Sequence, residues 1–225
     1  MPRGTDRRIA GAAFVAFTAA VLAVTALVDS PVPKPDPFVA ARLMVLAHAG
    51  DDLWYEVDYR FVRTRNGASL RSMTSVARGP GIRVEGGRDG GGTIDIGERS
   101  WSCTPIDEKL ECLEIIDDTP SLGAATPFAV AALSGRYDIA EVDGRRIVER
   151  DARCFEIRLV RGAPVAGLGS ELDVCIDATG VPLSTRIVGP LSTDERVATR
   201  VRTADHARLR ELIASVSGGA VALDA

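Results

Sequence analysis

Cys154-Phe155-Glu156-Ile157-Arg158-Leu159-Val160 and Glu171-Leu172-Asp173-Val174-Cys175-Ile176 decide the fold. In the first run Phe155, Ile157 and Leu159 alternate with Cys154, Glu156 and Arg158. In the second, Leu172, Val174 and Ile176 alternate with Glu171, Asp173 and Cys175. Side chains of a strand change face at every residue, so each run reads as a strand with one apolar and one polar face. Both cysteines belong to the polar set of their own strand. If the strands are antiparallel neighbours, Cys154 and Cys175 bond on the outer face of the sheet. Phe155, Ile157, Leu172 and Val174 then point inward. Asp177-Ala178-Thr179-Gly180-Val181-Pro182-Leu183 follows as a turn feeding another strand.

The chain has 225 residues, 46% of them hydrophobic, and a formal net charge of −4. That is enough to bury one substantial core. The balance excludes the clustered basic excess of a nucleic-acid-binding surface. Cys103 and Cys112 form a second pair beside Cys154 and Cys175. Of three connectivities, the sequential one needs only neighbouring strands. No CxxC spacing occurs, and His48 and His206 lie far apart, so a zinc site is not expected. Paired cysteines fit an oxidising compartment. Each bridge closes a short loop and stabilises by roughly 3 kcal/mol.

The N-terminus supports that compartment. Arg3, Arg7 and Arg8 precede an uncharged run from Ile9 to Val28, long enough to cross a bilayer at 1.5 Å per residue. The basic end stays cytoplasmic. Residues 1–28 are therefore expected to be a transmembrane signal-anchor. A cleaved signal peptide competes, because Val24-Thr25-Ala26 offers small residues at suitable offsets. No cysteine follows the apolar run, so a lipoprotein anchor is not expected. Residues 29–36 read as a stiff proline-rich linker.

Asp36 and Pro37 open a helix expected over Pro37–Ala49 and stopped by Gly50. From Leu53 to Thr64 runs the longest alternation, with Leu53, Tyr55, Val57, Tyr59 and Phe61 opposite Trp54, Glu56, Asp58 and Arg60. Asn66-Gly67 is a hairpin turn. Strands are expected near 70–78, at Ile82 and Val84, at Ile94 and Ile96, and in the hairpin carrying Cys103 and Cys112. The glycine run 86–92 lacks a following helix and a Gly-Lys-Ser/Thr, so it reads as a hairpin tip and not a phosphate cradle. A short apolar helix begins at Thr126-Pro127. Asp143-Gly144 reads as a turn between Tyr137–Val142 and a return strand over Arg145–Glu149. Leu209, Leu212, Ile213 and Val216 make the C-terminal helix amphipathic. The domain is expected over 37–217, with a disordered tail at 218–225.

No catalytic constellation emerges. Asp205-His206 is the one acid–histidine pair and sits where an acid caps a helix. No Gly-x-Ser-x-Gly elbow accompanies it, and Asp117-Asp118 has no second acidic cluster. The expectation is a protein that is not an enzyme and carries no cofactor.

The order of these elements resembles the LolA-like superfamily of bacterial envelope proteins. The resemblance rests on residues 53–61, on Cys154 with Cys175, and on Ile176-Asp177-Ala178-Thr179-Gly180-Val181-Pro182-Leu183. It implies an α+β fold: a single strongly curved antiparallel sheet, a half-barrel of about eleven strands, with N-terminal, mid-chain and C-terminal helices. It further implies an envelope protein that binds lipid or another hydrophobic ligand in the half-barrel cavity. The anchor expected at residues 9–28, a departure from the family's free carrier, makes this an extracytoplasmic, membrane-tethered binder. Val57, Tyr59, Phe61, Val84, Ile94, Ile96, Trp101, Ile157 and Leu159 are the expected ligand-binding lining. The alternative it leaves is an envelope sensor or assembly protein that binds a protein partner, as RseB-like members do.

Overall fold

The computed structural model describes residues 36–87, 90–107, 109–115, 126–165 and 168–222. The expected signal-anchor and most of the expected linker lie outside the described residues. Among the described residues no helix is long and apolar enough to cross a membrane.

Helix α1 (Pro37–Ala49) starts as its sequence requires. Asp36 Oδ1 accepts a hydrogen bond from the Phe38 amide at 2.9 Å, and proline occupies the first turn. Strands β1 (Tyr55–Arg65) to β6 (Lys109–Ile115) follow, through β2 (Ala68–Gly79), β3 (Ile82–Gly87), β4 (Gly92–Ile96) and β5 (Arg99–Ile106). Helix α2 (Thr126–Ser134) interrupts the sheet. Strands β7 (Tyr137–Ile147), β8 (Arg150–Leu159), β9 (Glu171–Asp177), β10 (Pro182–Val188) and β11 (Thr193–Thr203) complete it, and α3 (His206–Ser217) closes the fold. Asn66 and Gly67 both take positive φ, the conformation of a two-residue hairpin turn.

The eleven strands form one open antiparallel sheet in the order β6-β5-β4-β3-β2-β1-β11-β10-β9-β8-β7. The first and last strands thus pair at its centre, and β6 and β7 are its edges. Both disulfides join directly opposed residues, Cys103 with Cys112 and Cys154 with Cys175. One expected turn is displaced. Asp143-Gly144 lies inside β7, where the register with β8 shifts between Val142 and Arg145. The hairpin turns instead at Val148-Glu149, both at positive φ. An Asp-Gly pair is as serviceable in a bulge as in a turn, and there it bends the strand.

The register puts Phe61, Arg196, Thr185, Val174 and Phe155 in one row across five strands, on one face. Val57 and Tyr59 share that face. Ala77, Val84, Ile94 and Trp101 form a second row on the opposite face. The helices divide accordingly. Helices α1 and α2 bury Leu43, Ala47, Phe128 and Ala131 against Tyr137, Ile139, Phe155, Ile157, Leu172 and Val174. Helix α3 buries Ile213 and Val216 against Val84, Ile94 and Cys103. The sheet therefore changes its helix-covered face between its two halves.

Cys154 and Cys175 lie opposite Phe155 and Val174, as alternation requires, yet are only 2% and 5% exposed. They join the cluster of Tyr55, Val57, Tyr59, Leu183 and Ala198. Residues 223–225 of the expected tail are outside the described residues. Before them, Gly218 caps α3 in the left-handed conformation, and Val221 turns back into the α3 cluster.

Candidate functional site

The groove between α3 and the sheet follows from the row Arg200, Asp58, Ser75, Gly86, which runs across β11, β1, β2 and β3 on the α3 side. Toward β4 and β5, the same face offers Ile94 and Trp101, and α3 packs directly. Toward β1 and β11 it offers a cation, a carboxylate, a hydroxyl and a residue without a side chain. No described side chain fills that space, although Met73 reaches its wall. A cavity of about 490 Å³ remains, lined by Val84, Leu212 and Val216 on its apolar side and by Asp58, Ser75 and Arg200 on its polar side. This volume is in the range of small-molecule sites. Gly86 sets the depth at one end: a Cβ there would lie 2.8 Å from Val216 Cγ2.

The polar wall is ordered. Asp58 accepts hydrogen bonds from the Ser75 hydroxyl and, at 3.3 Å, from Arg202 Nη2, while Thr199 Oγ1 donates to the Asp58 carbonyl at 3.0 Å. Arg200 makes no ion pair among the described residues, so its charge is available at the groove.

Beside the groove sits the latch that fixes the first turns of α3. Glu56 is 1% exposed and accepts two hydrogen bonds from Arg202, at 2.9 and 2.6 Å, and two from Arg208, at 2.9 and 3.1 Å. Burial alone would raise the Glu56 carboxyl. The hydrogen bonds and charges of the two guanidiniums outweigh it and hold the group below the usual carboxylate range. Glu56 in turn raises both arginines. Asp205 caps α3, accepting from the Arg208 amide at 2.7 Å, and His206 stacks edge-on against Trp54. The Asp205-His206 pair is thus spent on capping and packing.

A smaller depression of about 200 Å³ lies over the Cys154–Cys175 bond, lined by Glu156, Asp173, Arg186 and Glu195 among others. Among the described residues no group of three or more His, Cys, Asp or Glu could hold a metal ion.

The nine lining residues expected from sequence do not meet in one place. Val84, Ile94, Ile96 and Trp101 gather beneath α3, and Val84 reaches the groove. Ile157 and Leu159 belong to the core under α1 and α2. Val57 and Tyr59 lie in the central cluster, and the guanidiniums of Arg63 and Arg196 each stand 5.5 Å from the Phe61 ring centroid. Asp58, Ser75, Gly86, Arg200, Leu212 and Val216 were not anticipated as a site. Trp54 in the otherwise polar set of β1 was the available sign that this face is covered.

The fold has counterparts among solved structures. One chain of the complex structure of Pseudomonas aeruginosa MucA/MucB superposes with a TM-score of 0.55 at 18% identity, over 83% of this chain and 64% of that one. This chain therefore spans less than two thirds of that neighbour's length. Mycobacterium tuberculosis lipoprotein LppX matches with a TM-score of 0.40 at 11% identity, over 73% of this chain and 94% of its own. A LolA superfamily protein of Nitrosomonas europaea matches with 0.34 at 9%, over 74% and 94%. No protein-family model and no curated protein matches the chain.

Proposed function

We propose that the chain is an extracytoplasmic, membrane-tethered protein that binds a lipid or another hydrophobic ligand bearing an anionic group. The observation that carries this is the α3 groove: one apolar wall of Val84, Leu212 and Val216, and one polar wall ending in the unpaired Arg200. An acyl or other apolar portion lies along Val84 and Val216, with Ile94, Ile96 and Trp101 beneath. The anionic portion meets Arg200. Ile157 and Leu159 lie under α1 and α2 and join a cavity only if those helices move off the sheet, while Val57, Tyr59 and Phe61 stay outside the groove. Two disulfides fit the extracytoplasmic setting.

Native mass spectrometry of the detergent-solubilised chain after bacterial expression tests the proposal. Bound lipid, or saturable uptake of a fluorescent fatty acid, is expected. Ser215→Trp, at the exposed rim of the groove, abolishes uptake while leaving the melting temperature near its starting value. Only apo mass with no uptake overturns the reading.

A second reading, an envelope protein with a protein partner, is favoured by the MucA/MucB complex and by one feature of this sheet. Edge strand β6 exposes Leu113 and Ile115 on a side where no described strand pairs with it, the arrangement a partner strand extends. Crosslinking in intact cells through a photoreactive group at Leu113 should give a protein adduct. Recovery of uncrosslinked monomer alone sinks this reading.

A further inference from the structure

The geometry points to the outer surface of the α1–α2 pair as a membrane-docking face. Both helices carry apolar residues on the side turned away from the sheet as well as on the side that packs on it. Helix α1 is Pro-Phe-Val-Ala-Ala-Arg-Leu-Met-Val-Leu-Ala-His-Ala and α2 is Thr-Pro-Phe-Ala-Val-Ala-Ala-Leu-Ser, without an acidic residue in either. Each buries one stripe against the sheet: Ala40, Leu43 and Ala47 from α1, Phe128 and Ala131 from α2. The opposite stripes are exposed and largely apolar, with Phe38 77%, Val45 70% and Leu133 83% exposed and Val130 beside them, interrupted on α1 by Arg42 and His48. A helix that is apolar on two sides needs a second apolar neighbour.

The sequence says which neighbour is at hand. The apolar run 9–28 ends eight residues before α1, and those eight include Pro31, Pro33 and Pro35. At about 3.1 Å per residue such a spacer reaches at most about 25 Å. A bilayer crossed by 9–28 therefore lies within one helix length of Phe38. Within the two helices the only ionisable side chains are Arg42 and His48, and Arg136 and Arg161 flank the end of α2. Exposed apolar stripes that carry arginine and no acid within the helices are the composition of an interfacial helix on an anionic leaflet. Of the acids beside the helices, Glu141 pairs with Arg42, Asp51 pairs with Arg78, and Asp36 accepts from the Phe38 amide as the cap of α1. The docked face lies across the sheet from the α3 groove, which therefore stays open to solvent or to a partner. The inference rests on reading 9–28 as an anchor and is independent of what the groove binds.

The test uses the full chain in phosphatidylcholine–phosphatidylglycerol vesicles. Single cysteines carrying an environment-sensitive fluorophore are introduced by Phe38→Cys, Leu133→Cys and, on the β1–β2 hairpin, Leu70→Cys. Flotation first shows whether the chain is anchored. Lipids spin-labelled near the headgroup should then quench residues 38 and 133 at least threefold more strongly than residue 70. Adding Val130→Asp should remove most of the excess at 38. Equal quenching at all three positions overturns the inference. So does a blue-shifted fluorophore at 133 that lipid does not quench, because a second copy or residues 116–125 would then cover the patch. A chain that fails to float removes the anchor and the docking together, while lipid uptake in the groove remains separately measurable.

Discussion

Glu56 shows what a single buried carboxylate does in this sheet. Its two guanidinium partners reach solvent, and it does not, so removing its charge leaves two cations facing an unpaired amide. Glu56→Gln should cost about 2 kcal/mol, less than a fully buried pair because both arginines keep part of their hydration. The pH dependence follows from the direction of the shift. The folded carboxyl is held below its unfolded value of about 4.3. Its contribution is therefore present above that value and is lost as pH falls through the folded one. Asp177 behaves alike: burial raises it, but hydrogen bonds from Thr179, Arg150 and Val181 lower it further. Acid unfolding monitored by circular dichroism should begin below about pH 4 in the parent chain, and Glu56→Gln should flatten that limb. An unchanged acid limb would remove Glu56 from the account. Gly180 carries a different constraint. Its φ is +93°, and a Cβ would lie 2.2 Å from the Gly50 amide and 2.5 Å from the Leu46 carbonyl. The end of α1 thus rests on the turn that Asp177 organises. Gly180→Ala should destabilise by at least about 2 kcal/mol, from backbone conformation and overpacking together. Chemical denaturation measures it, and a loss under about 0.5 kcal/mol would mean that α1 does not pack on this turn.

Among the elements, β8 and β9 were the most legible. Alternation placed Phe155, Ile157, Leu172 and Val174 on the covered face and, given antiparallel neighbours, set Cys154 opposite Cys175, on a face expected to lie outside but buried in the central cluster. The bridge spans 21 residues of sequence, for which loop-closure entropy gives about 3 kcal/mol. Replacing both cysteines by serine should lower the melting temperature by roughly 6–12 °C, at 2–4 °C per kcal/mol for a domain of this size. Ligand uptake per folded molecule should not change, because the bridge lies outside the α3 groove. A variant that keeps its melting temperature, or that loses uptake while folded, would contradict this. The site was less legible, for a reason that lies between elements. Val57 and Val84 both read as the apolar set of their own strands, and local alternation does not say whether two sets share a face. The turns do. Asn66-Gly67 places Val57 opposite Val76, and Pro80-Gly81 places Val84 opposite Ala77. Val76 and Ala77 are adjacent residues, so Val57 and Val84 must diverge. Counting residues through both hairpins would have revealed this. The bulges at Asp58/Tyr59 and Val142/Arg145 have no such local sign.

At the scale of the molecule, the change of covered face makes two cores that share only the central strands. One lies under α1 and α2 against β7–β9, and the other lies under α3 against β2–β6. The Cys103–Cys112 bond belongs to the α3 core and Cys154–Cys175 to the central cluster, and among the described residues the ladder between β1 and β11 is the sheet pairing that joins the halves. Sub-global openings should follow this division. Ile213, 1% exposed and in contact with the β3–β5 side, is the position to perturb. Ile213→Ala should cost about 2–4 kcal/mol of local packing. In native-state hydrogen exchange, amides of β3, β4 and β5 should lose protection by that amount, while those of β8 and β9 keep theirs. Ile157→Ala, in the other core, should do the reverse. The pairing of variants matters, because one variant that merely lowered global stability would reduce every slow amide equally. A uniform loss across β3–β5 and β8–β9 in both variants would show a single cooperative unit. Helix α3 could not then lift from the groove without unfolding the sheet, and ligand entry would have to proceed through the groove mouth beside Arg200 with the helix in place.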